Sequence, residues 1–475
     1  MRLPFLALMA GMLLTVVPAY GNTLRFDPTN TFQTMDGVGA NTYTFPYGSS
    51  SGWQWNAVTS VFDEVHLRYF RTAPWLSWWE TVNDNTNPLA INWAGFQTVN
   101  RMADWYDVPY GKWLTARGYE VGLGVWGFED WLEDAGVPAA YPEIAETLAA
   151  YVIYQRISNS VAMNTYEVQN EPALSANKYP SPDALVTGAL AVIDMFDRYG
   201  LTNLMLHGPN HHAPAGTVAW AGPWFSNETL RARTTALSFH TYWSQNQSDY
   251  AGIWNVAQRY NKPVWATEVT GMFWDGSQWQ ITFTNWACAW DQAMRYYRSI
   301  SWSHASRLYQ WTILGHDAVV GTAGERQPCF YALKHFANFI PPGSLFVGSS
   351  LDDSSMYSMM FKLTNGSYTA IILNDRTLSN VITITPPVGQ FTCTQSFSST
   401  QYGYYLPGAA AYPDEQRALT MVVPAKSISS MELLWIPEPC CVLPGCLAIA
   451  LARFVHARRR AAMAARHIHH TSTIA

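Results

Sequence analysis

The stretch Tyr166-Glu167-Val168-Gln169-Asn170-Glu171-Pro172 runs from an apolar strand into a proline stop. Thr165–Val168 has the length and apolar content of a short buried strand, and an amide, a carboxylate and a proline then end it together. A second strand, Val264-Trp265-Ala266-Thr267-Glu268-Val269, ends on Glu268, with Thr267 its only other polar side chain. Candidate strands fall at Met35–Gly39, Val65–Arg71, Tyr119–Val125, Thr165–Val168, Leu204–His207, Leu237–His240, Val264–Thr267 and Leu308–Trp311. Helix-like segments at Tyr141–Ser158, Pro182–Arg198, Tyr250–Tyr260 and Thr284–Ser303 lie between them. Strands alternating with helices predict a parallel sheet and an α/β fold. Eight of them over residues 35–340 predict a (β/α)8 TIM barrel, whose usual size is about 250 residues.

After Pro341-Pro342-Gly343 the pattern changes. Met356–Leu363, Tyr368–Asn374, Val381–Thr385, Phe391–Phe397, Leu419–Val423 and Ser429–Leu434 are short alternating segments between Gly, Asn and Pro turns. They predict an antiparallel β-sandwich domain over residues 341–435. Residues 22–34 are expected to add an N-terminal strand to it.

The ends differ from this body. Met1 and Arg2, an apolar run from Leu3 to Val17, and then Pro18-Ala19-Tyr20-Gly21 predict a secretory signal peptide at 1–21. The run is shorter than the ~20 residues a membrane span needs. Ile436-Pro437-Glu438-Pro439 begins a segment of residues 436–475 with an apolar run, Cys440–Ala452, and then Arg453, Arg458, Arg459 and Arg460. This segment resembles the PEP-CTERM sorting tail of exported Gram-negative proteins. The resemblance implies processing at the envelope, transient membrane association through the tail, and a periplasmic, cell-envelope or extracellular location. A plain disordered tail is the other reading.

The 475 residues carry only 13% charged side chains and 15% aromatic ones, including 22 Trp. That excludes a disordered chain and a basic nucleic-acid binder. Setting aside 1–21 and 436–475, the body holds 22 basic and 33 acidic residues, a net charge of about −11. Cys288, Cys329 and Cys393 are the only body cysteines, too sparse and odd a set for a disulfide framework. So many tryptophans point to a surface that stacks on flat, weakly charged ligands.

A barrel enzyme carries its chemistry at the C-terminal ends of its strands. Glu171 and Glu268, 97 positions apart, stand at the ends of candidate strands four and seven, where they can face one another across the mouth. Two facing carboxylates, one protonated and one ionised, are what glycoside hydrolysis requires. Taken singly, each glutamate could equally cap a helix or join an ion pair. Trp126 and Trp311 stand at the ends of strands three and eight, where aromatic rings can stack on sugar faces. Trp75, Trp78 and Trp79 after strand two are candidates to extend the cleft, with Glu80, Glu129 and Asp130 as added polar contacts.

These strands resemble the acid/base and nucleophile strands of the clan A retaining β-glycosidases, closest to glycoside hydrolase family 30. Asn170-Glu171-Pro172 matches the fourth-strand motif. Met35-Asp36-Gly37-Val38-Gly39-Ala40 resembles that family's opening strand, and Tyr331–Ser344 resembles its junction into the β-domain. The resemblance implies that Glu171 is the acid/base and Glu268 the nucleophile of a retaining O-glycosyl hydrolase (EC 3.2.1.-). It implies that Asn170 binds the sugar 2-hydroxyl and that Arg71 holds the nucleophile ionised. His240 and Tyr242 match the sixth-strand His-x-Tyr, where the tyrosine orients the nucleophile. The expected partner is a β-linked oligo- or polysaccharide, with endo-hydrolysis favoured and no cofactor or metal. His207-Gly208-Pro209-Asn210-His211-His212 matches no zinc spacing. The rival reading is a non-catalytic carbohydrate-binding protein that uses the same aromatic cleft.

Overall fold

Eight parallel strands close on themselves: Gly37–Tyr43, Tyr69–Ala73, Glu120–Leu123, Met163–Tyr166, Met205–His211, Thr234–His240, Val264–Val269 and Ala305–Leu314. The eighth pairs with both the seventh and the first, so the sheet is a closed barrel. The computed structural model describes residues 21–438 except 100, 135–138, 175–177 and 316. The expected signal peptide and nearly all of the expected sorting tail lie outside the described residues.

The α/β expectation thus holds as a TIM barrel, with strand limits displaced. The second strand begins at Tyr69 rather than Val65. Val65 and Leu67 are buried without pairing to a neighbour, because they lie in a tight turn closed by Leu67 N–H to Val65 O at 2.9 Å. Their apolar character reflects packing under the barrel, not strand pairing. The first strand starts at Gly37 and runs on to Tyr43. A side chain at Gly39 would meet the Tyr69 carbonyl at 2.4 Å, so glycine there permits the close approach of the first two strands.

The helices follow local signals. In Pro182–Arg198 the Ser181 side chain accepts from Ala184 N–H at 3.2 Å, a proline opens the first turn, and Asp183 and Arg198 complement the two ends. Its buried face, with Leu185, Ala189, Val192 and Phe196, packs on the barrel. At the N-terminal end of the strands, the Arg307 guanidinium lies between the rings of Tyr69 and Trp265, 3.6 and 3.9 Å from their centroids. This cation–π stack closes the lower end of the barrel.

The second domain is a nine-stranded sheet. Gly403–Pro407, Gln390–Thr400, Ser427–Ile436, Tyr368–Asn374, Met356–Lys362, Leu345–Leu351, Gly21–Thr34, Asn380–Ile384 and Leu419–Val423 follow one another across it. All ladders are antiparallel except that of Gly21–Thr34 with Asn380–Ile384. The rings of Phe26 and Phe391 are 5.6 Å apart, yet they sit on strands five steps apart in that order. In a flat sheet they would be about 24 Å apart at about 4.8 Å per strand. The sheet therefore curls over on itself, so its two layers belong to one continuous ladder, around Leu24, Ile372, Ile382, Phe391 and Leu433. Leu345–Leu351 and Gly403–Pro407 are added to the strands expected from sequence, their alternation being masked by Gly348-Ser349-Ser350 and by Pro407. Helix Pro328–Phe339 fastens the sheet to the barrel. His335 on that helix joins Ser430 Oγ through Nδ1 and Ser399 Oγ through Nε2, both at 2.8 Å. Among the described residues no helix is long and apolar enough to cross a membrane.

Candidate active site

Strand parity decides which side chains enter the barrel. On the second strand Arg71 points inward and is 1% exposed. Arg68, three residues earlier, points outward to Glu120 at 3.7 Å, its side chain half exposed. On the fourth strand Tyr166 packs outward on Phe196 of a helix, so Glu167 points inward.

Arg71 is the centre of the site. Its Nη1 donates to Glu268 Oε1 and to Asn41 Oδ1, each at 2.7 Å. Its Nε and Nη2 hold Glu167 Oε2 and Oε1 at 3.0 and 2.6 Å, and Nη2 also donates to Asn170 Oδ1 at 2.6 Å. The guanidinium is stacked 4.3 Å from the Trp126 ring centroid. A buried cation with every donor used is fixed in place.

Glu268, at the end of the seventh strand, has both oxygens engaged. Oε1 accepts from Arg71, and Oε2 accepts from the Tyr242 hydroxyl at 2.7 Å. Glu171 stands just after the fourth strand, with 17% of its side chain exposed. His240 Nδ1 lies 2.9 Å from Glu171 Oε1 and 3.4 Å from Glu268 Oε2, between the two carboxyls. Burial drives His240 down to about 3, so the ring is neutral, with its Nδ1 turned toward Glu171. An oxygen of Glu171 comes within 4.8 Å of one on Glu268. Two carboxyls whose oxygens approach this closely can act together on one glycosidic bond.

Burial raises the pKa of both carboxyls. Glu268 is opposed directly by the Arg71 guanidinium at 2.7 Å and by the Tyr242 hydroxyl. Among the described residues Glu171 has no Lys or Arg in contact, and its main partner is a neutral imidazole. Of the pair, Glu268 is therefore the better stabilised as a carboxylate. Tyr242 is raised well above its ordinary value by burial and by the neighbouring Glu268, and stays a donor.

The backbone is unusual at the same end of the barrel. Glu171, Asn210 and Trp243 have φ of +47°, +58° and +63°, all after or at the ends of strands four to six. Asparagine tolerates this region, but glutamate and tryptophan there carry strain of order 1–3 kcal/mol each.

The structure brings together Arg71, Asn170, Glu171, His240, Tyr242, Glu268 and Trp126. Trp311 joins them, tilted on Trp126 at 5.6 Å and edge-on to Tyr43 at 5.8 Å between ring centroids. Beyond Tyr43 and Gly315 a cavity of about 550 Å3 is lined by Phe45, Trp53, Trp75, Met102 and Tyr106. A separate cavity of about 560 Å3, between Gly21–Thr34 and helix Trp286–Trp302, contains none of the converging acids.

Other expectations change. Trp75 and Trp78 are exposed, but Trp79 is buried against Phe96, Tyr151 and Tyr154, with its Nε1 donating to Thr147 O. Glu80 is also buried, bonded to the Thr147 hydroxyl and to Asp84 N–H, so it braces a loop instead of meeting a ligand. His207 is buried beside Ser238, and His211 turns to Ala213. Cys288, Cys329 and Cys393 are free and buried.

Three residues were not singled out from sequence. Glu167 is fully buried and also accepts from Val125 N–H at 2.8 Å and from Asn210 Nδ2. Asn210 in turn accepts from Thr267 at 2.8 Å. Asn41 ties Arg71 to the Thr267 and Gln310 carbonyls. The alternation Thr165, Glu167, Gln169 on one strand face was the available signal for Glu167.

Glu171, His240 and Glu268 are also the one described group whose ligand-capable atoms lie within 4.8 Å of one another. Both Glu268 oxygens are already taken, and the guanidinium beside them repels a cation. The arrangement suits acid–base and nucleophilic work by paired carboxylates better than metal ligation.

A closed barrel with a curled antiparallel sheet and this constellation at the strand ends has the fold of known glycoside hydrolases. The family 30 endoxylanase from Clostridium papyrosolvens C71 aligns at a TM-score of 0.66 with 18% identity, over 87% of this chain and 99% of that one. SrfJ from Salmonella typhimurium aligns at 0.66 with 15% identity, over 88% and 92%. An endo-β1,6-glucanase aligns at 0.62 with 15% identity, over 88% and 94%. At these identities the likeness is one of fold. No protein-family model matches the sequence, and no curated protein matches it.

Proposed function

We propose that this protein is a retaining β-glycosidase that cleaves a β-linked polysaccharide internally. The observation that carries the reading is the approach of Glu171 and Glu268 to within 4.8 Å, with Arg71 and Tyr242 on Glu268. In the first step a Glu268 oxygen bonds to the anomeric carbon while the glycosidic C–O bond breaks. The Glu171 proton passes to the departing oxygen. In the second step a water oxygen bonds to the anomeric carbon, its proton goes to Glu171, and Glu268 leaves as a carboxylate. Two inversions give net retention. Asn170 Oδ1 is held by Arg71, which aims the amide nitrogen toward the sugar. Internal cleavage is supported by exposed tryptophans on opposite sides of the mouth: Trp75 and Trp78 after the second strand, Trp243 after the sixth.

A panel of β-glucans, xylans and galactans, beside aryl β-glycosides, with product analysis tests this. Hydrolysis is expected, together with azide rescue of Glu268→Ala giving the inverted glycosyl azide. Binding without hydrolysis across the panel would instead establish the non-catalytic carbohydrate binder. Export rests on residues 1–21, and envelope sorting on residues 436–475. Fractionation of producing cells, with sequencing of the mature N-terminus, tests both.

A further inference from the structure

Arg71 serves two carboxylates at once. Nη1 holds Glu268, and Nε with Nη2 grips Glu167 in a two-point contact. If the double displacement above is correct, on which this inference rests, one of those carboxylates changes charge during turnover. Glu268 is anionic at rest and neutral once esterified to the sugar. A guanidinium paired with Glu268 alone would then be an isolated cation in a dry site. Glu167 forms no bond to the sugar, and four donors, Arg71 Nε and Nη2, Val125 N–H and Asn210 Nδ2, hold it as a carboxylate against the burial that raises its pKa.

We infer that Glu167 is a positioning residue: the permanent counter-ion of Arg71, which keeps the guanidinium balanced and in place through both steps. Its second effect is on Glu268. Sharing one cation between two carboxylates leaves the Glu268 carboxylate incompletely neutralised, and so more reactive toward carbon. Removing the Glu167 charge gives the whole guanidinium to Glu268. The resting carboxylate is then over-stabilised and the ester is left beside an unpaired cation.

The test compares the wild type with Glu167→Gln, which is isosteric and can still accept from Nε, and with Glu167→Asp, which keeps the charge. Glu268's own titration is read by carboxyl infrared difference spectra against Glu268→Gln, which requires no turnover. The kcat and kcat/KM pH profiles and the pre-steady-state burst are read with dinitrophenyl β-glycosides. In Glu167→Gln, Glu268 and the acid limb are expected to move down by about one pH unit, as removal of a like charge requires. The burst should shrink, and kcat should fall by more than KM changes. In Glu167→Asp the titration should stay near that of the wild type. A Glu268 titration that does not move in the Gln variant overturns the inference. So does one that moves as far in the Asp variant, which decides alone if the Gln variant does not fold. A shift in the Gln variant from a wild type that hydrolyses no glycoside would uphold the charge sharing and sink the glycosidase reading.

Discussion

The Tyr242 hydroxyl donates to Glu268 Oε2 at 2.7 Å, on the oxygen opposite the one Arg71 holds. A donor to an ionised carboxylate favours the charged form. Tyr242→Phe is therefore expected to raise the Glu268 pKa and move the acid limb of kcat/KM to higher pH, opposite in direction to Glu167→Gln. Loss of a bond to a charged group, worth about 1.5–3 kcal/mol, should lower kcat/KM by about 10- to 150-fold. An acid limb that stays in place would show that the hydroxyl does not act on Glu268.

Glu171 must be protonated for the first step, so activity should be lost as pH rises through its pKa. Burial places that loss above the ordinary carboxylate range. Glu171→Gln is expected to abolish the alkaline limb and slow unactivated substrates by about 10²–10⁴-fold. A dinitrophenyl leaving group needs no proton, so its first step should survive. A pH–rate profile on both substrate types checks this.

Trp311 packs on Trp126 and Tyr43 and leads toward the cavity lined by Phe45 and Trp75. Trp311→Ala is expected to raise KM by about 2- to 13-fold, the worth of about 0.5–1.5 kcal/mol of ring contact, with a smaller change in kcat. Steady-state kinetics on the best substrate of the glycan panel measures it.

Glu146 is buried on helix Tyr141–Ile153, and neither of its oxygens has a hydrogen-bond partner among the described residues. Burial, with Asp84, Glu80 and Glu143 nearby, pushes it up to about 8 from 4.5. A carboxyl raised in the folded state gives stability that is whole below its unfolded pKa and is lost as pH rises through the folded one. The melting temperature should therefore fall between pH 5 and pH 8. Glu146→Gln should flatten that fall and gain on the order of 2–4 °C at pH 8, with little effect at pH 5. Parallel melting curves for the two proteins would remove Glu146 as the cause. Glu80, raised to about 7, leaves a residual slope.

Much of this was legible in the chain. Alternating apolar strands and helices required a parallel sheet, because a strand buried on both faces needs helices to cover it, and their number of eight pointed to a barrel. The strand-end rule located Glu171 and Glu268, and period-two parity put Arg71 inside and Arg68 outside. Pro182–Arg198 was marked by its own cap, proline and terminal charges. Trp79 illustrates where this stops. Trp75, Trp78 and Trp79 follow the same strand and have the same composition, yet one is core and two are exposed. The difference lies in Phe96, Tyr151 and Tyr154, which come from distant segments.

The sequence by itself determined which residues face the barrel interior and which stand at strand ends, since periodicity is a local property of the backbone. Only the tertiary structure decided that Glu171 and Glu268, 97 positions apart, come within 4.8 Å, and that a single guanidinium joins Glu268 to Glu167. Convergence depends on closure and register across eight strands. Those are set by every pairing around the ring together, and no short stretch of chain contains them.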